Sequence, residues 1–296
     1  MKLSNLKALV AAIDKGSLRA AARQLGVSQP ALTKALRDLE LELEAPLLVR
    51  SSVGVIPTAQ GKVLHAHALT IMRELSAATD EVKQLSGSMT GQLAIGAVPL
   101  AVLLLMPETL RTFTVEFPNI ELRLTEELYM AQLQRLRTGD VDIAVGGIPD
   151  SLSTGEFVVE ELMDTTMVPV VAKNSQRARA QSLSELQNAR WVYTGITQAE
   201  GYANTLFEAH QLTSPNVGAV VNSTLALLSL VTSGDYVGLM PEQIASSPLA
   251  RDFLEVVQIR ERGLPLKIAA MIRKDKAVAP AVRHFLAHLH RAAGQH

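Results

Sequence analysis

The segment that most constrains the fold is Ser17 to Leu36, SLRAAARQLGVSQPALTKAL. Ser17 can cap a short helix whose inward side, at helical spacing, is Leu18, Ala21, Ala22 and Leu25. Gly26 follows where a helix needs a left-handed residue to stop. Ser28 can cap a second helix with Pro30 in its first turn, where a missing N–H costs nothing. Val27 before the cap and Leu32 inside the helix can staple the entry angle. Two helices joined by a short Gly-containing turn are the signature of a helix-turn-helix. The second helix is expected to turn Ala31, Leu32, Ala35, Leu36 and Leu39 inward and to leave Gln29, Pro30, Thr33, Lys34 and Arg37 outward. Polar and cationic side chains at the start of such a helix suit major-groove readout. The alternative for this stretch alone is an ordinary αα-hairpin with a solvated face.

The flanking residues extend the pattern. Ser4 opens an earlier helix, in which Leu6, Leu9, Val10 and Ile13 share a face, and Gly16 ends it. After the second helix of the pair, Glu40, Glu42 and Glu44 read as a solvated stretch. Pro46 to Arg50 reads as a strand, Ser51 to Gly54 as a turn and Val55-Ile56 as a return strand, which together make a wing. Arg50 at the base of the wing either reaches phosphate or the minor groove or is a plain surface arginine.

Thr58 can cap a long helix to residue 86, about 43 Å at 1.5 Å per residue. Leu64, Ala68, Ile71, Leu75, Ala78, Val82 and Leu85 recur along it at alternating steps of four and three. So narrow and regular a seam predicts pairing with a second copy of the same helix. Packing within its own domain would show a wider apolar face. Ser86 to Gly91 (SGSMTG) reads as a flexible hinge.

Beyond the hinge, strands and helices alternate, which predicts βαβ units and a parallel sheet. The expected strands are Leu93 to Ala97, Ile120 to Thr125, Val141 to Gly146, Thr166 to Ala172, Trp191 to Tyr193, Val217 to Val221, Tyr236 to Met240 and Leu266 to Ile272. The expected helices are Leu104 to Phe117, Met130 to Thr138, Thr205 to His210, Thr224 to Thr232 and one opened by Pro280.

Composition narrows the function. The 296-residue chain carries a formal net charge of −1, yet residues 1–60 hold eight Lys/Arg against five Asp/Glu. A mildly basic amino end on an acidic body suits nucleic-acid contact confined to that end. At 4% aromatic residues, stacking on single strands is not its main business. Without cysteine there is no disulfide, thiolate metal site or thiol sensor. The amino terminus does not read as a signal peptide and the longest apolar run, Val98 to Met106, is too short for a bilayer, so a cytoplasmic location is expected.

The order of these parts resembles the LysR-type transcriptional regulators of bacteria over essentially the full length. The match is carried by Gly16 to Ala22, Leu25, Val27 to Thr33, Leu36, Leu39-Glu40, Leu43 and Pro46 to Arg50, with Thr58, Gly61, Phe117-Pro118 and Gly139 to Asp142. The resemblance implies an α/β protein with an all-α amino-terminal part: a winged helix-turn-helix (1–58), a dimerising linker helix and hinge (59–88) and an effector-binding domain (89–296). That last domain would be like the periplasmic binding proteins, with one subdomain at 89–162 and 266–296 and the other at 163–265. It further implies double-stranded promoter DNA, a small-molecule effector and RNA polymerase as partners, a homodimer or homotetramer, no cofactor, no metal, no membrane and no enzymatic activity. Gln29, Pro30 and Thr33 match positions that approach bases, and Ser28, Lys34, Arg37 and Arg50 match those near phosphates. Position 33 is more often serine in the family, and the wing tip here lacks the basic residues of many members. Fewer cations imply fewer phosphate contacts and a shallower salt dependence.

On the same template the effector cleft is lined by Val98, Pro99, Leu100 and Ala101 in the loop after the first strand of the domain. Opposite lie Leu128, Met130, Gly147 with its neighbours, Thr194, Ile196, Asn222, Ser223 and Met240-Pro241. In many members that first loop offers Ser or Thr hydroxyls to an acidic ligand. Here Pro99 and Leu100 stand there and no arginine sits beside Gly146; backbone N–H groups at a helix start can still hold an anion, yet the side chains suggest a more apolar or neutral ligand. Core packing is the competing reading for Leu100, Leu128 and Met130.

The sequence shows no Cys/His nucleophile pair, Gly-x-Ser-x-Gly elbow or glycine-rich phosphate loop. His284 and His288 lie one turn apart, a metal-compatible spacing, but read as a solvated helix face with no acid nearby. Two classes remain: an effector-responsive DNA-binding regulator, or a solute-binding module or enzyme on the same α/β body. The basic helix-turn-helix and the seam helix favour the first.

Overall fold

The computed structural model describes the chain except residues 52–53, 149–151, 153–154, 196–200, 276–277 and 296, and except the side chains of Arg50, Ser51, Tyr129 and Met130. The chain forms two compact units, Met1–Thr79 and Asp80–His296.

The first unit contains α1 (Leu3–Lys15), α2 (Leu18–Leu25), α3 (Gln29–Glu42), the hairpin β1 (Leu48–Ser51) and β2 (Gly54–Pro57), and the start of α4 (Ala59–Leu85). α1 begins one residue before Ser4, after Lys2, with no side-chain cap. Its buried face is wider than the four expected residues and includes Ala8, Ala11 and Ala12. Small side chains there let α2 and α3 approach closely, and Leu6, Leu9, Leu32, Leu36, Leu39 and Leu47 fill the core. Each such leucine stabilises the fold by about 1.5–3 kcal/mol through burial.

The caps fall where the sequence places them. Ser17 Oγ accepts from the Ala20 N–H and Ser28 Oγ from the Ala31 N–H. Gly16 and Gly26 are left-handed, at φ 59° and 65°. Val27 is exposed and stays outside the core, so the expected staple does not anchor there. Glu40 is not solvated: its carboxylate accepts the Leu47 and Leu48 N–H groups at 2.8 and 3.2 Å and so pins the first strand of the wing. Thr58 Oγ1 caps α4 through the Gly61 N–H at 3.0 Å and donates to the Pro46 carbonyl at 2.7 Å. The Gly16 carbonyl accepts the Val55 N–H at 2.9 Å, which ties the second wing strand to the turn after α1.

The second unit runs β3 (Gly91–Ala97), α5 (Pro99–Leu104), α6 (Met106–Glu116), β4 (Ile120–Glu126), α7 (Tyr129–Thr138), β5 (Ile143–Gly147) and the long β6 (Phe157–Ala172). There follow β7 (Arg190–Thr194), α8 (Tyr202–Ala209), β8 (Val217–Val221), α9 (Thr224–Thr232), β9 (Tyr236–Pro241), α10 (Glu242–Ala245), β10 (Leu254–Val256), β11 (Leu264–Arg273) and α11 (Pro280–Ala293). The sheet order is β4-β3-β5-β11-β6-β9-β7-β8, with β10 on β6. β4-β3-β5 is parallel, and so is β9-β7-β8. The antiparallel pair β6 and β11 joins the two sets. The body is therefore two α/β lobes crossed by two strands.

Three segments depart from expectation. The loop after β3 is instead the helix α5, started by Pro99, and a second helix begins around Pro107 where one helix was expected. β6 begins nine residues before Thr166. A bulge leaves Leu162 between Met163 and Glu161, which face Ile268 and Ala269, so the two-residue alternation fails there. The expected flexible hinge is laced down: the buried Gln84 donates from Nε2 to the Thr90 carbonyl at 3.0 Å, and its Oε1 accepts the Ala281 N–H at 3.1 Å.

α11 also differs from a solvated face. His288 is buried, with Nδ1 2.8 Å from Thr112 Oγ1 and Nε2 3.1 Å from a Glu116 carboxylate oxygen. A neutral ring protonated on Nε2 satisfies both partners. His284 packs on the Phe117 ring at 4.7 Å, and His290 lies 2.6 Å from Glu160. Burial holds the His288 imidazole below its ordinary value, helped by Arg291 and His284 and opposed by Glu116. The folded state therefore resists a proton that the unfolded chain accepts, and stability falls as pH drops below about 6.5. Melting curves from pH 8 to pH 5 are expected to show this loss, and His288→Asn to shrink it.

Candidate functional site

Two places collect the residues expected to act. The first is the amino-terminal end of α3. Ser28, Gln29, Pro30, Lys34 and Arg37 are exposed and Thr33 is half-buried. Ala31, expected inward, is exposed: in the first turn it lies away from the face that buries Leu32 and Leu36. The exposed end of α3 therefore presents amide, hydroxyl and cationic groups around a capped start. Arg50 lies in β1 opposite Val55, and its side chain is outside the described residues.

The seam of α4 changes character along its length. Leu64 is partly buried against the first unit's core, and Ala68 is fully buried in it. Ile71, Leu75, Val82 and Leu85 are 41%, 48%, 65% and 67% exposed. Among the described residues the later part of the seam is thus increasingly exposed toward its carboxyl end.

The second place is a cavity of about 650 Å³ at the carboxyl ends of both parallel strand sets. Val98, Pro99 and Leu100 follow β3, Glu126 ends β4 with Glu127 and Leu128 after it, and Gly147 ends β5. From the other lobe come Thr194 at the end of β7 and Gly195 after it, Asn222 after β8, and Met240 and Pro241 at the end of β9. Met167 of β6 and Leu266 and Ile268 of β11 contribute the crossing strands. Ligands of open α/β sheets lodge at such strand ends, and the size suits a small organic molecule. Gly147 leaves room for Leu266, whose Cδ1 would lie 3.1 Å from a Cβ there.

Of the expected effector contacts, Val98, Pro99, Leu100, Leu128, Gly147, Thr194, Asn222, Met240 and Pro241 line this cavity. Ala101 does not: α5 turns it fully into the core. Ser223 does not either, because its hydroxyl caps α9 at the Ala226 N–H. Ile196 and the Met130 side chain lie outside the described residues. Sequence reasoning missed Glu126, Glu127, Tyr202 and Thr224, and the crossing-strand residues Met167, Leu266 and Ile268. Glu126 carried a signal, since it ends an alternating strand at the carboxyl edge of a parallel sheet. Tyr202 and Thr224 carried none, because their approach depends on how α8 and α9 pack. Among the described residues no group of three His, Cys, Asp or Glu could hold a metal ion, and no helix is long and apolar enough to cross a membrane.

A winged helix-turn-helix and a two-lobed body with a strand-end cavity define a ligand-responsive DNA-binding regulator. Residues 3–62 match the family described as "Bacterial regulatory helix-turn-helix protein, lysR family", and residues 86–294 match "LysR substrate binding domain". The chain belongs to the LysR family of bacterial transcriptional regulators. It is 25% identical over 282 residues to the HTH-type transcriptional regulator TdcA of Escherichia coli K12, covering 95% of this chain and 89% of that one. It is 28% identical over 249 residues to the nitrogen assimilation regulatory protein nac of Klebsiella aerogenes, covering 83% and 80%. The crystal structure of CbnR, a LysR family transcriptional regulator, aligns over 99% of both chains with a TM-score of 0.74 at 21% identity. The same fold appears in full-length CbnR complexed with target DNA, again at a TM-score of 0.74 and 21% identity, covering 99% of this chain and 100% of that one. The solute-binding or enzyme reading of the body is not favoured beside these matches.

Proposed function

We propose that two copies pair through the exposed part of the α4 seam and set two α3 helices on a two-fold promoter site. Occupation of the cavity by a small molecule changes the angle between the two lobes. That change alters the spacing of the paired α3 helices and so the bend of the DNA, a population shift between two arrangements. Gln29, Pro30 and Thr33 approach bases, and Ser28, Lys34, Arg37 and Arg50 approach phosphates. Residues 1–58, 59–88 and 89–296 serve as DNA-binding, dimerising and effector-binding parts, with lobes of 89–162 plus 266–296 and of 163–265. The protein acts in the cytoplasm without enzymatic activity, engages RNA polymerase at the promoter and assembles further into a tetramer, as the family resemblance implies.

The observation that carries this reading is the exposed start of α3, where Gln29, Lys34 and Arg37 stand free of the core that holds Leu32, Leu36 and Leu39. The test is a salt titration of binding to promoter DNA. Lys34→Ala is expected to weaken binding uniformly across sequences and to reduce the salt slope by about one. Gln29→Ala is expected to cost about 1–3 kcal/mol and to relax preference at one base pair. Two variants that bind as the parent does at every salt concentration would remove α3 from the interface.

A further inference from the structure

The cavity's charge pattern says what kind of molecule it takes. Among the described residues no Lys, Arg or His lines it, and it holds two carboxylates, Glu126 and Glu127. Glu127 is neutralised by Arg135, whose Nη1 lies 2.5 Å from its Oε1. Glu126 is exposed, and its side chain has no hydrogen-bond or ion-pair partner among the described residues. Across the cavity the polar side chains of Thr194, Asn222 and Thr224 are likewise unpartnered among the described residues, and most of the remaining lining is apolar. An anionic ligand would meet a like charge with no counter-ion and would leave water for an apolar wall, an arrangement that binding sites avoid. An ammonium on an apolar skeleton would meet a ready acceptor in Glu126, with neutral acceptors opposite for its remaining N–H groups.

We infer that the effector is an organic amine: an apolar body held against the crossing strands, with an ammonium read by Glu126. This rests on the reading of the cavity as the effector site, and it names the class of molecule and the residue that selects it.

Matched probes test it on the full chain. Phenethylamine, phenylacetate and phenethyl alcohol share one skeleton, and hexylamine, hexanoate and hexanol share another. Each is titrated by calorimetry and by thermal shift, in which a ligand of the folded state raises the melting temperature. The amines are expected to bind, the alcohols more weakly and the carboxylates not at all. Glu126→Gln keeps the shape and removes the charge. It is expected to lower amine affinity about tenfold or more while leaving alcohol binding unchanged. Added salt is expected to weaken the amines and spare the alcohols. Carboxylate binding, equal binding of alcohol and amine, amine binding indifferent to Glu126→Gln, or no binding by any probe would overturn the inference. Footprints on promoter DNA separate this from the functional reading. Amine binding that leaves the footprint unchanged keeps the amine site and removes its role as effector site. A footprint changed by phenylacetate or hexanoate keeps the effector site and removes the amine.

Discussion

Gly61→Ala is expected to unfold the first unit. A Cβ at Gly61 would stand 2.0 Å from the Leu47 carbonyl oxygen and 3.0 Å from its carbon. Neither atom can move away. Leu47 is buried in the core, its N–H is held by Glu40, and its carbonyl accepts the Thr58 N–H at 3.0 Å. Backbone meets backbone, so the loss is expected at about 3 kcal/mol or more, the upper range of overpacking. Gly26→Ala is the internal contrast. Nothing lies within 4 Å of its Cβ position, and only the left-handed φ of 65° opposes it. About 1–2 kcal/mol is expected there. Thermal melts of the full chain with each variant check the pair. A Gly61→Ala protein that melts like the parent would mean that the Leu47 carbonyl does not lie against Gly61.

Leu75→Glu combined with Val82→Glu is expected to give monomers. Both side chains are exposed, at 48% and 65%, so the folded chain loses little by the change. A paired seam would instead bury two charges per helix against their copies. A monomer presents one α3 where a two-fold site offers two half-sites, and loses the gain of simultaneous engagement, about 10²–10⁴ in affinity. Sedimentation gives the mass, and DNA titration gives the affinity. A variant that stays dimeric and binds promoter DNA at parental strength would place the dimer contact elsewhere.

What the sequence disclosed was set by how local the determining physics is. The caps of α2 and α3 and the glycines that stop α1 and α2 act within one turn, so Ser17, Ser28, Gly16 and Gly26 were legible directly. The strands β8 and the helix α9 were legible to the residue because turn residues bound them. Glu40 was misread because its partners, Leu47 and Leu48, come from the wing. The first half of β6 was hidden because the bulge at Leu162 shifts its alternation. α5 was hidden because Pro99 begins a helix as readily as it ends a strand. His288 was misread because its acid, Glu116, lies on α6, far away in sequence.

The cavity divides along the same line. Residues at strand ends, such as Val98, Gly147, Thr194 and Asn222, could be placed once the βαβ rhythm and the family resemblance were in hand. Ala101 and Ser223 could not be excluded from the lining without knowing that one faces the core of α5 and the other caps α9. Glu126 needed the ion pair that neutralises its neighbour before its own lack of a partner meant anything.

Whether DNA binding by α3 answers to occupation of the cavity is read by DNase footprinting of the full chain on the promoter DNA it binds. The comparison is made without and with a small molecule that raises the protein's melting temperature. Protection of two half-sites one helical turn or a multiple apart is expected, with the protected or hypersensitive positions between them shifting when the molecule is bound. Footprints that are identical with and without it would mean that the cavity does not control how α3 engages DNA.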